Sequence, residues 1–194
     1  MTIQIEKIHH VAYRCNDAKE TVEWYKKNLN MDFILAFAED YVPSTKAFDP
    51  YMHLFLDAGN GNVLAFFELP TQPKMGRDEN TPKWVQHIAL KVKDRDALIE
   101  AKAHLEQNGI DVLGITNHGI FHSIYFFDPN GHRLELAYDD QKSLEKIAMI
   151  TEDMKHEMLE EWSKTKRAPH HTHFLHADEL DNDLAEAQKT VPNT

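Results

Sequence analysis

The chain is poor in cysteine and has no long apolar run. Cys15 is the only cysteine among 194 residues, so an internal disulfide is excluded and a reducing compartment is indicated. No stretch approaches the roughly 20 apolar residues of a transmembrane helix. The opening residues, MTIQIEKIHH, lack the apolar core of a secretory signal. We therefore expect a cytoplasmic protein that does not enter a membrane.

Basic residues are also scarce. The chain has 21 Lys and Arg against 32 Asp and Glu, which gives a formal net charge of -11. Proteins that bind nucleic acid need a basic surface to neutralise phosphates, and anionic membranes make a similar demand. Neither is therefore expected as a partner. The hydrophobic content of 42% is that of an ordinary globular domain.

Histidine, by contrast, is abundant, with 13 residues. Two of them occupy matching positions of an internal repeat, in which KIHHVAYR aligns with WVQHIALK and His10 with His87. Each copy reads as a strand followed by a helix. Asp17 and Asp94 are placed to cap the two helices, because a short side-chain oxygen accepts a hydrogen bond from the first free amides.

Further strands follow each helix, which predicts a βαβββ module in each copy and the α+β class. The predicted strands are Phe33–Phe37, Met52–Asp57 and Val63–Leu69 in the first copy, and Asp111–Ile115, Ser123–Phe127 and Arg133–Ala137 in the second. The predicted domains are a first module at 5–69, a linker at 70–82, a second module at 83–140, and a C-terminal extension at 141–194. That extension reads as one long amphipathic helix from Gln141, which either closes the pocket or forms a dimer contact. A polar tail follows, whose histidines His170, His171, His173 and His176 we interpret as solvated.

The last predicted hairpin carries a testable register. A loop of Pro129, Asn130 and Gly131 would place Gly131 in the left-handed conformation that needs no β-carbon. Tyr125 would then lie directly opposite Glu135, and opposed residues share a face of the sheet. A loop one residue shorter or longer would separate them. His122 falls on the other face of its strand.

Titratable groups on otherwise apolar strands predict a metal site. His10, His87 and Glu135 form a set of two imidazoles and one carboxylate, which suits a first-row divalent metal. The last strands of the two copies end alike, in FFELP and RLELA, which aligns Glu68 with Glu135 and makes Glu68 an optional fourth ligand. Charges on the inner face of a sheet are costly unless they are paired or bound to metal.

These motifs resemble a known family. The strings IHHVAY, VQHIAL and YFFDPNGHRLELA are similar to those of the vicinal oxygen chelate superfamily, which includes glyoxalases, bleomycin resistance proteins and extradiol dioxygenases. The resemblance covers about residues 5–140. It implies paired βαβββ modules forming a cupped, barrel-like mixed sheet around one divalent metal, with ligands at His10, His87 and Glu135. A homo-oligomer is also expected.

Within that family, the last hairpin most resembles single-domain type I extradiol ring-cleaving dioxygenases. The resemblance implies Fe(II), O2 and a catechol-type aromatic diol, hence a role in aromatic compound catabolism. The matching positions place His118 and Tyr125 at the substrate and His53 as a pocket acid or base. A neutral histidine suits that role because its pKa lies near working pH. The aromatic pocket is expected to contain Phe48, Tyr51, Phe55, Phe66 and Phe121.

Two alternatives remain open at this point. A glyoxalase I-like lyase or isomerase would use His10, Glu68, His87 and Glu135 with Ni(II), Zn(II) or Mn(II). The sequence shows no cationic cluster for the carboxylates of glutathione, which counts against it. The second alternative is a non-catalytic small-molecule binding protein of the same fold. We favour ring cleavage because His118, Tyr125 and the aromatic residues outweigh Glu68.

Overall fold

The structure is a computed structural model that describes residues 2–169. Two βαβββ modules follow one another and two helices complete the described chain, so the α+β class with paired modules is confirmed. The first module comprises β1 (Val11–Cys15), α1 (Ala18–Leu29), β2 (Phe33–Tyr41), β3 (Phe48–Asp57) and β4 (Val63–Glu68). The second comprises β5 (Ile88–Lys91), α2 (Arg95–Gln107), β6 (Leu113–Asn117), β7 (His122–Phe127) and β8 (Arg133–Tyr138). The helices α3 (Gln141–Met149) and α4 (Glu152–Thr165) follow.

The two modules build sheets of the same strand order. The first sheet is β1-β4-β3-β2 and the second is β5-β8-β7-β6. In the first sheet β1 runs parallel to β4, whereas the β4-β3 and β3-β2 pairs are antiparallel. The repeat in the sequence is therefore a repeat of topology.

One face of the first sheet is covered by α1. Tyr25 of this helix is fully buried and its ring packs 5.1 Å from the ring of Phe66. The register pairs Phe66 with Tyr13 on one side and with Leu54 on the other, so these side chains share the covered face. The core of this face consists of Leu54, Leu56, Leu64 and Phe66. Burial of each such side chain contributes about 2 kcal/mol.

The predicted helix caps are confirmed. The Asp17 carboxylate accepts a hydrogen bond from the amide of Glu20 at 2.8 Å, and that of Asp94 accepts one from Ala97 at 3.0 Å. Each bond satisfies an amide of a first helical turn.

The last hairpin has the predicted loop. The amide of Asp128 donates to the carbonyl of His132 at 3.0 Å, and Gly131 has a φ of 88°. The Asp128 carboxylate also accepts the amides of Asn130 and His132 at 2.9 and 2.7 Å. Tyr25 donates its hydroxyl to the same carboxylate at 3.1 Å, which ties the loop to α1.

The prediction of one long C-terminal helix is wrong, because the segment forms two helices. Ile150 leaves the helical conformation, and the hydroxyl of Thr151 caps α4 by accepting the amide of Met154 at 3.2 Å. A threonine hydroxyl competes with the helical hydrogen bonds of its own backbone and so favours a cap over a helix interior. The tail histidines lie outside the described residues. No helix between residues 2 and 169 is both long and apolar enough to cross a membrane.

The chain divides into two compact units that interleave along the sequence. One unit contains the chain up to Leu90 together with Ala101–Val112 and Tyr125–Glu135. The other contains Lys91–Glu100, Leu113–Ile124 and the described residues from Leu136 onwards. The first unit holds His10, His53, His87, Tyr125 and Glu135, so most of the candidate site lies within it.

Candidate functional site

His87 and Glu135 form a direct pair. The amide of Val92 donates to the carbonyl of Ala137 at 2.8 Å. In a parallel ladder this hydrogen bond sets the register of β5 and β8, with Lys91 paired to Ala137. The same register pairs Ala89 with Glu135. His87 precedes Ala89 on the same face, and its Nε2 lies 2.9 Å from Oε2 of Glu135.

The hydrogen bonds of this pair indicate which atom carries a proton. Nδ1 of His87 lies 2.8 Å from the carbonyl oxygen of Val85, which can only accept, so Nδ1 carries hydrogen. The second ring nitrogen, Nε2, therefore faces the carboxylate of Glu135. Glu135 is only 1% exposed. A carboxylate oxygen and the lone pair of an imidazole nitrogen repel each other at this distance unless a proton or a metal ion lies between them. The geometry of the His87–Glu135 pair is compatible with a shared proton and with a bound metal ion.

Tyr125 fixes the other oxygen of this carboxylate. Its hydroxyl donates to Oε1 of Glu135 at 3.0 Å, and the tyrosine is 8% exposed. The predicted register, with Tyr125 and Glu135 on one face, is thereby confirmed. Such a donor orients a ligating carboxylate and tunes its basicity.

His53 lies in an aromatic cluster on the face of the first sheet that is opposite to α1. The register aligns Arg14, Phe67, His53 and Phe37 across the four strands. The His53 ring stacks on Phe67 at 3.6 Å and lies 4.2 Å from Phe55 and 5.1 Å from Phe37. The ring of His10 approaches the same cluster, 5.8 Å from Phe55.

The environment of His53 keeps its imidazole neutral. The residue is 6% exposed, and its buried Nε2 has no hydrogen-bond partner among the described residues. Burial lowers the pKa of His53 below its usual 6.5, and the nearby His10 lowers it further. At neutral pH the ring is therefore uncharged and can accept a proton from a bound molecule.

The structure does not assemble the complete predicted ligand set. His10 is exposed, and its Nδ1 lies 2.7 Å from Nδ1 of His9. Between residues 2 and 169, no group of three His, Cys, Asp or Glu side chains is placed to hold a metal ion. The His87–Glu135 pair is formed, while His10 lies beside His53.

The alignment of Glu68 with Glu135 is wrong. Glu68 pairs with Cys15 on the helix-covered face, opposite to the face of His10, and its Oε2 accepts the amide of Ala18 at 2.8 Å. A carboxylate is stabilised there by the positive end of the helix dipole. The first-module counterpart of Glu135 is Ala65, which pairs with Ala12 as Glu135 pairs with Ala89.

The predicted aromatic pocket is correct only in part. Tyr51 and Phe55 lie on the His53 face, since side chains alternate along β3. Phe66 is fully buried on the opposite face, and Phe48 packs against Tyr41. The sequence reasoning missed Phe37 and Phe67. Phe37 lay in a predicted strand, but the face of the sheet on which its side chain lies is set by the register between β2 and β3.

His118 and His122 lie in the second unit. His118 occupies the β6–β7 loop, where its amide donates to the carbonyl of Phe121 at 2.9 Å and its ring packs 4.8 Å from that of Phe121. The catalytic role of His118 stays a prediction. His122 stacks on Tyr138 at 5.0 Å, on the opposite strand face from Tyr125 as expected.

Arg133 is a site residue that the sequence reasoning overlooked. Its guanidinium carbon lies 4.0 Å from the centre of the Tyr125 ring, and its Nη1 donates to the carbonyl of Trp84. Arg133 precedes Glu135 by two positions on β8, so both side chains lie on the same face. The two-residue spacing between Arg133 and Glu135 was the feature of the sequence that could have identified Arg133 as a site residue.

Comparison with known proteins identifies the family. The sequence model of the Glyoxalase/Bleomycin resistance protein/Dioxygenase superfamily matches residues 7–136. This match covers more than half of the chain and both modules. The chain therefore belongs to this superfamily, as the sequence motifs indicated.

Individual relatives are more distant. A Bacillus subtilis (strain 168) protein named "Putative ring-cleaving dioxygenase MhqA" is 28% identical over 142 residues, covering 72% of this chain but only 42% of that protein. A glyoxalase family protein from Enterococcus faecalis shares the fold, with a TM-score of 0.52 and 24% identity over 68% of this chain and 97% of its own. The fosfomycin resistance protein FosX from Listeria monocytogenes, complexed with Mn(II) and sulfate, has a TM-score of 0.54 and 17% identity over 73% and 98% of the two chains.

Proposed function

We propose that this chain is an extradiol ring-cleaving dioxygenase that opens a catechol-type aromatic diol with O2. The observation that carries the proposal is the contact of His87 with the buried Glu135, whose facing Nε2 and Oε2 atoms lie 2.9 Å apart. This donor chemistry fits a divalent metal, because imidazole and carboxylate are ligands that Fe(II) accepts. His10 is the proposed third ligand.

The number of protein ligands supports an oxygenase. The first-module counterpart of Glu135 is Ala65, so the repeat supplies two histidines and one carboxylate. When bound, Fe(II) would supply the redox chemistry and the open positions that a diol and O2 require. In the overall reaction both oxygen atoms of O2 enter the product as one carbon–carbon bond of the ring breaks.

The surrounding side chains are suited to bind the diol and move its protons. The aromatic cluster of Phe37, Phe55 and Phe67 offers ring faces for an aromatic substrate. His53 presents a neutral, buried nitrogen that would take a proton from a diol hydroxyl and return it later. Tyr125 holds the Glu135 carboxylate, and His118 is proposed to contact the substrate from its loop.

Further support comes from the relative that is named a ring-cleaving dioxygenase. This chain spans less than half of that relative, so the substrate stays part of the proposal. A cytoplasmic location and a homo-oligomeric state are proposed alongside it.

The glyoxalase I-like alternative loses its main argument. It needs Glu68 as a ligand, and Glu68 lies on the helix-covered face with its carboxylate on the amide of Ala18. A non-catalytic binding protein of the same fold is the remaining alternative. It would bind aromatic diols without consuming O2.

The test is an oxygen-uptake assay on protein prepared without oxygen and loaded with Fe(II). A panel of catechols is supplied with air, and the proposal predicts O2 consumption with a yellow ring-opened product. In parallel, protein loaded with Ni(II) or Zn(II) receives the hemithioacetal of methylglyoxal and glutathione. Isomerase activity without any oxygen uptake would overturn the proposal in favour of the lyase.

A further inference from the structure

Arg133 has no acidic partner between residues 2 and 169, although the chain carries a formal net charge of -11. Every ion pair found in the described part of the chain uses lysine or histidine as its cation. Glu135 lies two positions away on the same face of β8. Its two oxygens are instead directed at Tyr125 and His87.

The guanidinium is nevertheless held in one place. It lies over the ring of Tyr125 at 4.0 Å, and its Nη1 donates to the carbonyl of Trp84. A guanidinium carries several N–H donors in a planar fork, so one carbonyl contact leaves donors free for an oxyanion. A carboxylate matches this fork with two parallel hydrogen bonds.

We infer that Arg133 is an anion subsite and that the diol substrate carries an acidic substituent, in particular a carboxylate. This inference rests on the proposed function, since it places the substituent beside Glu135, the proposed metal ligand. Arg133, Tyr125 and Glu135 share one face of the second sheet, so a diol bound next to the Glu135 carboxylate would have its substituent on the side of Arg133. The competing interpretation is that Arg133 only anchors Tyr125 and the Trp84 segment.

Equilibrium binding to Zn(II)-loaded protein separates the two, because zinc cannot carry out the oxidation. Calorimetry would compare 3,4-dihydroxyphenylacetate with its neutral amide, 3,4-dihydroxyphenylacetamide. We expect the wild type to bind the acid at least about tenfold more tightly, with a preference that shrinks as salt rises. Arg133→Met should bring the two affinities together, and Arg133→Lys should keep part of the preference. The matched control is Arg77→Met, an exposed arginine of the linker that bonds the carbonyl of Thr81 and should keep the full preference.

An anchoring role alone would change both affinities equally and leave their ratio untouched. Equal binding of acid and amide by the wild type overturns the inference, even if Arg133→Met does not fold. A preference that survives in Arg133→Met also overturns it. If neither diol binds, the subsite and the proposed function fall together.

The subsite and the ring-cleaving activity can fail separately. If the acid is preferred through Arg133 but no catechol supports O2 uptake, the subsite stands and the proposed function fails. If the acid and the amide are cleaved with equal kcat/KM, ring cleavage stands and the subsite is excluded.

Discussion

Ala65 in the first sheet occupies the position that Glu135 occupies in the second. Ala65 pairs with Ala12 on β1, just as Glu135 pairs with Ala89 on β5. The two modules therefore repeat the histidine but not the carboxylate. This asymmetry favours a site of three protein ligands over one of four, and it is the basis of the functional proposal.

Tyr125→Phe is expected to weaken metal binding. The change removes the hydroxyl that donates to Oε1 of Glu135 at 3.0 Å and leaves the ring under Arg133 in place. Loss of such an orienting partner costs roughly 10- to 100-fold in affinity or activity. Competition with a chelator would measure iron affinity, and Tyr138→Phe, which alters a tyrosine stacked on His122, is the control. An equal loss in both variants would contradict the role of Tyr125.

His53→Phe should lower activity and raise stability at the same time. Turnover is expected to fall roughly a hundredfold or more, because the proton acceptor is lost while bound iron is unchanged. The variant removes a buried Nε2 that has no partner among the described residues, which should stabilise the fold by about 1 kcal/mol. Thermal unfolding and oxygen uptake would be measured on the same preparation. A variant that loses iron would show that His53 is a ligand instead.

His118→Phe should also cut turnover by roughly a hundredfold without loss of metal, if the loop histidine contacts the substrate. His122→Phe serves as its control, since His122 stacks on Tyr138 on the other strand face from Tyr125. Equal activity of wild type and His118→Phe would remove His118 from the catalytic set.

Two glycine substitutions should differ sharply in cost. Gly131 has a φ of 88° and open space where a β-carbon would lie, so Gly131→Ala should cost only the backbone strain of about 1 kcal/mol. Gly114 has a φ of 110°, and a β-carbon there would lie 2.7 Å from the carbonyl of Ser123. Gly114→Ala should therefore be clearly more destabilising in chemical denaturation. Equal costs would contradict the close approach of the Ser123 carbonyl to Gly114.

The Cys15 thiol should be unreactive in the folded protein. It is 1% exposed, and burial above all raises its pKa from 9.0 to about 11. Iodoacetamide at pH 8 should label it only after denaturation, because the thiolate is the nucleophile. The folded state holds this proton more tightly than the unfolded state does. The contribution of this thiol to the free energy of unfolding is therefore fully present below pH 9.0. It is lost as the pH rises through about 11. Rapid labelling of folded protein would contradict this burial.

Local signals predicted most of the fold. The repeated strand and helix, the caps at Asp17 and Asp94, and the loop before Gly131 each depend on residues close together in the chain. The register of that loop also placed Tyr125 beside Glu135. These features were predictable because hairpin and cap geometry follows from short-range chemistry.

Pairing between distant strands was not predictable in the same way. Glu68 and Glu135 end similar strings, but a shift of one residue between β1 and β4 moves a side chain to the other face of the sheet. The sequence contains no local signal for that register. The faces of Phe37 and Phe66 and the role of Arg133 likewise depend on contacts between separate strands.

Iron content after Glu135→Ala and Glu68→Ala tests the central claim most directly. Protein loaded with Fe(II) without oxygen would be desalted and its bound iron measured by mass spectrometry, with circular dichroism confirming folding. We predict about one iron per chain for the wild type and for Glu68→Ala, and almost none for Glu135→Ala. Glu68→Ala should lose about 1 kcal/mol of stability, because the start of α1 loses its carboxylate partner. Loss of iron from Glu68→Ala, with iron retained by Glu135→Ala, would contradict the account.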